Sequence, residues 1–309
     1  MRFLVGLLTI FVVALLPIVA PWTQFVLTIA VAQGFAALGV AILLRGGLIS
    51  LGHAMYVAIG AYTAAFLGSR LGVSDFAALL LVATLVSALA GLVFGLLLIR
   101  YRAIFFAMLN LAVSMVIFSL LSKLYAYTGG SDGMRVATPS VFGQILPAAA
   151  FARVLFYVAL ALMIGLGAAV QRYLASPLGH ALSAVRSNEI RLEYLGVPVW
   201  LVLLIAYALS AALAGLGGAI TAAAVGHVEP ELAFWTASGH LVLMAVLGGI
   251  GGIAGPFIGA IFLEVLHSFA VGYAAEAWNM FVGITLLIVI FVLPAGLYGL
   301  IARRREAEI

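Results

Sequence analysis

Apolar runs bounded by charge or turn residues recur along this chain, several of them uncharged and long enough to cross a lipid bilayer, and they constrain its fold more than any other feature. They fall at about 3–20, 22–44, 54–68, 76–99, 103–125, 153–171, 199–222, 239–268 and 280–301. A hydrocarbon core about 30 Å thick takes about 20 helical residues to cross, and inside it each segment has to satisfy its own backbone polar groups. Runs of this kind are helices. A soluble domain carries roughly 25% charged residues, whereas this chain carries 8%, with 66% hydrophobic. The expected fold is an all-α polytopic membrane protein, one transmembrane domain over 1–309, with about eight full spans plus one broken segment.

That segment is the run 239–268, interrupted by "GGIGGIAGP", Gly248 to Pro256. Helix-breaking residues at its centre predict two half-helices of about ten residues, each rising about 15 Å, half a bilayer. Charge tests this re-entrant hairpin, because cytoplasmic loops collect Lys and Arg. With a hairpin, Arg2, Arg45, Arg100, Arg102, Arg172, Arg186, Arg191, Arg303, Arg304 and Arg305 share one side, ten of the fourteen basic residues. Arg70, Lys123, Arg135 and Arg153 lie opposite. A single crossing moves the last three arginines across and leaves seven on each side. The hairpin is favoured, with both termini cytoplasmic.

A similar break precedes the third run. In "RGGLISLGHAMYVAIGAY", Arg45 to Tyr62, a Gly-Gly pair leads into a short helix, and "IGA" recurs at Ile59–Ala61 and Ile258–Ala260. This suggests an internal repeat. Paired broken helices point to a translocation path, since unwound backbone at membrane depth is buried or lines a cavity. Close helix packing accounts for the same glycines, as it does for Gly91-x-x-x-Gly95 and Gly255-x-x-x-Gly259. Both readings stand. The first run follows Arg2, lacks a small-x-small cleavage pattern and ends at Pro21, so it reads as a retained span.

Catalysis finds no footing. Cysteine is absent, which removes disulfides and thiolate chemistry. The one lysine, Lys123, lies outside any P-loop, and H-E-x-x-H and G-x-S-x-G are missing. No basic patch with interleaved aromatics suits nucleic acid. Polar residues at membrane depth are Ser50, His53, Asn110, Ser114, Glu264 and His267. Each is costly in lipid and faces the bundle interior. Ser50, His53, Asn110, Ser114 and Glu264 are the candidates for a substrate path. Glu264 either pairs with a donor such as His267, three residues on, or relays protons in a secondary carrier. The loop "YTGGSDGMRVATPS", Tyr127 to Ser140, reads as turn chemistry.

The polar stretch "SPLGHALSAVRSNEIRLEYLGV", 176–197, is built differently. Ser176 is an N-cap with Pro177 at the first helical position, and Gly196 with Pro198 forms a stop. Leu178, Leu182, Val185, Leu192 and Leu195 make one apolar stripe bordered by an Arg186–Glu189 pair. An amphipathic helix or helix pair at the cytoplasmic face follows. Its arginines are balanced by Glu189 and Glu193, which suits a protein partner better than anionic lipid.

Five stretches, "GGLISLGHAMYVAIGAYTAAFL", "TGGSDGM", the 176–197 segment, "YALSAALAGLGGAI" and "VLGGIGGIAGPFIGA", resemble in order and spacing the LivM-type permeases of branched-chain amino acid ABC importers, over about residues 30–300. The resemblance implies a permease subunit of an ATP-driven importer for branched-chain amino acids or related small polar solutes. It implies a bacterial inner membrane, a homologous second permease, two cytoplasmic ATPases and a periplasmic binding protein. No cofactor is then bound by this chain, since ATP and Mg belong to the ATPases. It makes 172–198 the coupling segment, with Ser176, Pro177, Gly179, Arg186, Asn188, Glu189 and Gly196 matching the family's ATPase-docking motif. His180 departs from the Arg usual there, and the apolar Val197–Tyr207 departs from a commonly polar turn. A proton-coupled secondary transporter using Glu264 is the alternative.

Overall fold

The computed structural model describes residues 20–274 continuously, together with 13, 15–17, 280, 283–285, 287, 288, 291 and 296–303. The run 3–20 and the charges Arg2, Arg304 and Arg305 lie wholly or largely outside the described residues, and the run 280–301 lies partly outside them. The elements are α1 (Thr23–Arg45), α2 (Ala54–Arg70), α3 (Phe76–Leu98), α4 (Ala103–Lys123), β1 (Met134–Arg135), α5 (Ala148–Leu174), α6 (Pro177–Tyr194), α7 (Val199–Val225), β2 (His227–Val228), α8 (Trp235–Gly248), α9 (Ala254–Ala274) and α10 (Gly296–Arg303).

Among the described helices, α1, α3, α4, α5 and α7 are long and apolar enough to cross a membrane. The helix α2, at 17 residues, is shorter. It starts only at Ala54 because Gly47 takes a φ of 77° and the chain to His53 stays irregular, as the Gly-Gly break predicts.

The buried helix α7 is the hub, packed along α1, α2 and α3. Glycine is what lets the backbones meet: a Cβ at Gly218 would collide with the Val57 carbonyl of α2, one at Gly60 with the Gly215 backbone of α7, and one at Gly217 with the Ala32 carbonyl of α1. No side chain intervenes at these crossings.

One end of the bundle gathers Arg45, the Arg100–Arg102 turn and α6. A Cβ at Gly46 would strike Leu182, one at Gly47 would touch Arg186, and Arg102 pairs with Glu189. This is the basic end. The opposite end carries a two-strand antiparallel ribbon, Met134 opposite Val228 and Arg135 opposite His227. Arg70 donates to the Ala126 carbonyl there at 2.8 Å, and Ser140 N–H donates to the Ser74 carbonyl at 2.6 Å. Gly129, Gly130 and Gly133 all have positive φ, the turn chemistry expected of that loop. The charge grouping drawn from sequence thus appears for Arg45, Arg100, Arg102 and Arg186 at one end and for Arg70 and Arg135 at the other.

The hairpin departs from expectation. Its arms are not two half-bilayer pieces of about ten residues: α8 has 14 residues and α9 has 21, about 21 Å and 31 Å at the helical rise. Gly249, at φ 95°, ends α8. Pro256, however, is the third residue of α9, where its missing N–H has no intrahelical partner to lose, so the helix restarts there and continues. It runs antiparallel to α1, with Trp22 against Phe269 at ring centroids 6.5 Å apart and Gly34 backing onto Phe257. The two IGA stretches lie on α2 and α9, helices of different length.

The apolar stripe of α6 is only half as predicted. Leu182, Val185 and Leu192 are buried, but Leu178 and Leu195 are exposed. The helix is a pair: Asn188 is extended, at φ −163° and ψ 96°, and its Oδ1 accepts from Arg191 N–H at 2.9 Å, capping the second piece.

Candidate functional site

Four of the five predicted path residues are gathered in one buried place in the bundle interior. Ser50, His53, Asn110 and Ser114 are all 0% exposed. The irregular stretch before α2 delivers Ser50 and His53 into the bundle, where His53 Nε2 lies 3.2 Å from the Ser210 carbonyl of α7. A carbonyl only accepts, so Nε2 carries a proton, and Nδ1 of the neutral ring accepts from the Ser50 hydroxyl at 3.4 Å. Asn110 Nδ2 donates to the Tyr207 hydroxyl at 3.0 Å, which also accepts from Tyr56 at 3.1 Å. Ala54 N–H donates to Ser238 Oγ at 2.9 Å. Ser114 donates to the Ala233 carbonyl at 2.8 Å.

These bonds tie α2, α4, α7 and the start of the hairpin across the interior. The chemistry is that of a structural knot: polar groups too costly to leave in lipid pair with one another and with the broken backbone, with Asn110 Oδ1 left over. Sequence reading missed Tyr56, Tyr207, Ser210 and Ser238. Tyr56 could have been found, since it stands three residues from His53 on the same helical face.

Glu264 is separate. It lines a cavity of about 530 Å³ at the ribbon end, between the end of α7, the β2 loop, α8 and α9. Its polar wall is Thr221, His227, Glu229, Glu231, His240, Glu264 and His267, and its apolar wall includes Val225, Leu232, Met244 and Leu263. His227 Nε2 and Glu229 Oε1 are 3.6 Å apart. The expected Glu264–His267 pairing is absent: Glu264 makes no hydrogen bond or ion pair among the described residues. His227, Glu229, Glu231 and His240 were not singled out from sequence, because the first three sit in a loop whose fold back against α9 has no periodic signal.

The α6 segment is assembled at the basic end. Ser176 Oγ accepts from Gly179 N–H at 3.4 Å with Pro177 at the first helical position. A Cβ at Gly179 would strike the backbone of Tyr173 and Leu174, so this glycine lets α6 fold tightly back on α5. Gly196 takes φ 79° and ends the segment. Glu189 is not the partner of Arg186, as the i,i+3 spacing predicted. The break at Asn188 turns it inward, and its carboxylate takes two hydrogen bonds from Arg102. Arg186, Asn188, Ile190, Tyr194 and Leu195 are left on the outer surface.

Residues 23–291 match the family model described as the permease component of branched-chain amino acid transport systems. The chain is 30% identical to the high-affinity branched-chain amino acid transport system permease protein LivM of Escherichia coli K12, over 93% of this chain and 74% of that protein. With LivM of Salmonella typhimurium LT2 it is 32% identical, over 81% of this chain and 64% of the relative. LivH of the same Salmonella strain aligns over a shorter stretch, 30% identical across 40% of each chain. No solved structure matches. The membrane bundle, the capped segment folded against its basic end and these matches agree, and the chain belongs to the family of branched-chain amino acid transport system permeases.

Proposed function

We propose that this chain is a translocation subunit of an ATP-driven importer in a bacterial inner membrane, with its basic end and both termini in the cytoplasm. The construction of α6 carries the reading. A polar segment capped at Ser176 and again at Asn188 is packed onto the bundle by Leu182, Val185 and Leu192. Arg186 and the large apolar side chains Ile190, Tyr194 and Leu195 stay exposed. A surface of that kind suits a protein groove, and a separate ATP-hydrolysing subunit is the partner that an importer without a P-loop requires. LivH similarity supports a homologous second permease, and a periplasmic binding protein would deliver solute at the ribbon end. The solute is a branched-chain amino acid or a related small polar molecule.

Co-reconstitution tests this. Proteoliposomes holding the permease pair with its ATPases should take up leucine only with ATP inside and the binding protein outside. Uptake by this chain alone on a proton gradient would instead establish the secondary carrier. Single cysteines at Ser131 and Ser187, both exposed, should label from opposite sides of intact cells, Ser131 from outside.

A further inference from the structure

The cavity at the ribbon end has a chemical bias that the transport reading alone does not require. Among the described residues its wall carries three carboxylates and three imidazoles but no lysine or arginine. The chain has four more basic than acidic residues overall, so this lining runs against the balance of the molecule. The position of Glu264 is the informative part. It projects from the middle of α9 rather than from a loop, it shares the cavity wall with the apolar Leu263 and Met244, and it has no hydrogen-bond or ion-pair partner among the described residues. A carboxylate at that depth is costly unless something neutralises it.

A second group beside the cavity lacks a partner too. The Tyr62 hydroxyl of α2 is buried with no hydrogen-bond partner among the described residues, and Tyr62 belongs to a small apolar cluster with Val228, against which Leu232 packs. Leu232 belongs to the cavity wall. A site with an apolar wall, a few convergent polar groups and a volume of about 530 Å³ has the size and character of a small-molecule pocket.

We propose that this cavity binds the ammonium group of the transported solute, with Glu264 as its counter-charge and Val225, Leu232 and Leu263 against its apolar side chain. The cavity is then a selectivity filter in the permease itself: it admits amines and zwitterions and rejects simple carboxylic acids, whose charge the glutamates repel. An amide or urea gains no ion pair here. This inference rests on the importer reading and narrows it, since it assigns to the permease a discrimination additional to that of any binding protein.

The test uses the assembled permease–ATPase complex in lipid nanodiscs, without binding protein, and radiolabelled leucine as the probe. Saturable leucine binding should be displaced by 3-methylbutylamine, which keeps the amino group and loses the carboxylate. It should not be displaced by 4-methylpentanoate, which does the reverse. Glu264→Gln, nearly isosteric, should weaken binding about tenfold to a hundredfold, as loss of a charge-assisted hydrogen bond does, while the complex still co-purifies. Glu229→Gln should weaken it less. Displacement by 4-methylpentanoate as strong as by the amine would overturn the proposal without any variant being needed. Unchanged leucine binding in an intact Glu264→Gln complex would do the same. So would a lack of saturable binding in a wild-type complex whose ATPase is stimulated by the binding protein. If that stimulation itself is missing, it is the importer reading that fails.

Discussion

Arg102 grips the carboxylate of Glu189 with two hydrogen bonds, Nε to Oε2 at 2.9 Å and Nη2 to Oε1 at 2.5 Å. Arg102 lies in the turn between α3 and α4, and Glu189 is the first residue after the break in α6. The same guanidinium donates to the Ile99 carbonyl, so the turn, the arginine and the second piece of α6 form one unit. About a third of each side chain remains exposed, so solvent screens the pair and its net worth is about 1 kcal/mol, with geometry as its main contribution.

Reversing Glu189 to Lys places two cations together and releases the second piece of α6 from the α3–α4 turn. Uptake should fall severalfold or more while the ATPase still co-purifies, because the outer surface of α6 is untouched. The swapped pair, Arg102→Glu with Glu189→Arg, should recover a large part of the activity. Failure of the swap, combined with loss of ATPase co-purification in Glu189→Lys alone, would make Glu189 a direct partner contact.

Close packing of α2 on α7 makes Gly218 intolerant of even one methyl group. Gly218→Ala sets a Cβ against the Val57 carbonyl and should cost about 1–3 kcal/mol, as overpacking does. The expected readout is a lower thermal midpoint and poor recovery from membranes. Gly165→Ala, on the exposed face of α5 where a Cβ meets open space, should be neutral or slightly stabilising. Equal behaviour of the two variants would refute the role assigned to the backbone contact.

Tyr207→Phe removes the hydroxyl that receives both Asn110 and Tyr56. Asn110 Oδ1 already lacks a partner, and losing the Nδ2 contact leaves its whole amide unsatisfied, at about 1–3 kcal/mol. The thermal midpoint should drop while the affinity for solute stays the same. A specific loss of leucine binding at unchanged stability would return the knot to the translocation path.

The all-helical membrane fold, its five long apolar helices and the grouping of charges at the two ends of the bundle were legible in the sequence because bilayer thickness and the cost of buried charge act on every residue of a run. The caps of α6 were legible too, since Ser176, Pro177 and Gly196 act locally. Its partnerships were not. Periodicity paired Glu189 with Arg186, but the break at Asn188 changes the face that Glu189 presents, and Arg102 lies 87 positions away. The polar residues of the interior were recognisable as interior, yet their division into a knot and a cavity depends on which helix opposes which. His53 meets Ser210 across 157 positions, beyond the reach of any local pattern. The hairpin was misjudged in length because Pro256 at the start of a helix and a proline inside one look alike in a sequence.

The glycine contacts of α7 also distinguish two kinds of seam, one of backbone on backbone and one of side chains. Carbonyl against Cα leaves no rotamers to rearrange between α1, α2 and α7, so these helices have to travel together. The α8–α9 hairpin has its own tight seam, Gly248 against Gly255 and Gly259 against Met244. It meets α1 through side chains instead, such as Phe257 edge-on to Phe35 at 5.4 Å. Side-chain contacts slide where backbone contacts lock. A shift of the hairpin against α1 can therefore be taken up by side chains such as Phe257 and Phe35, whereas any shift among α1, α2 and α7 has to move backbone.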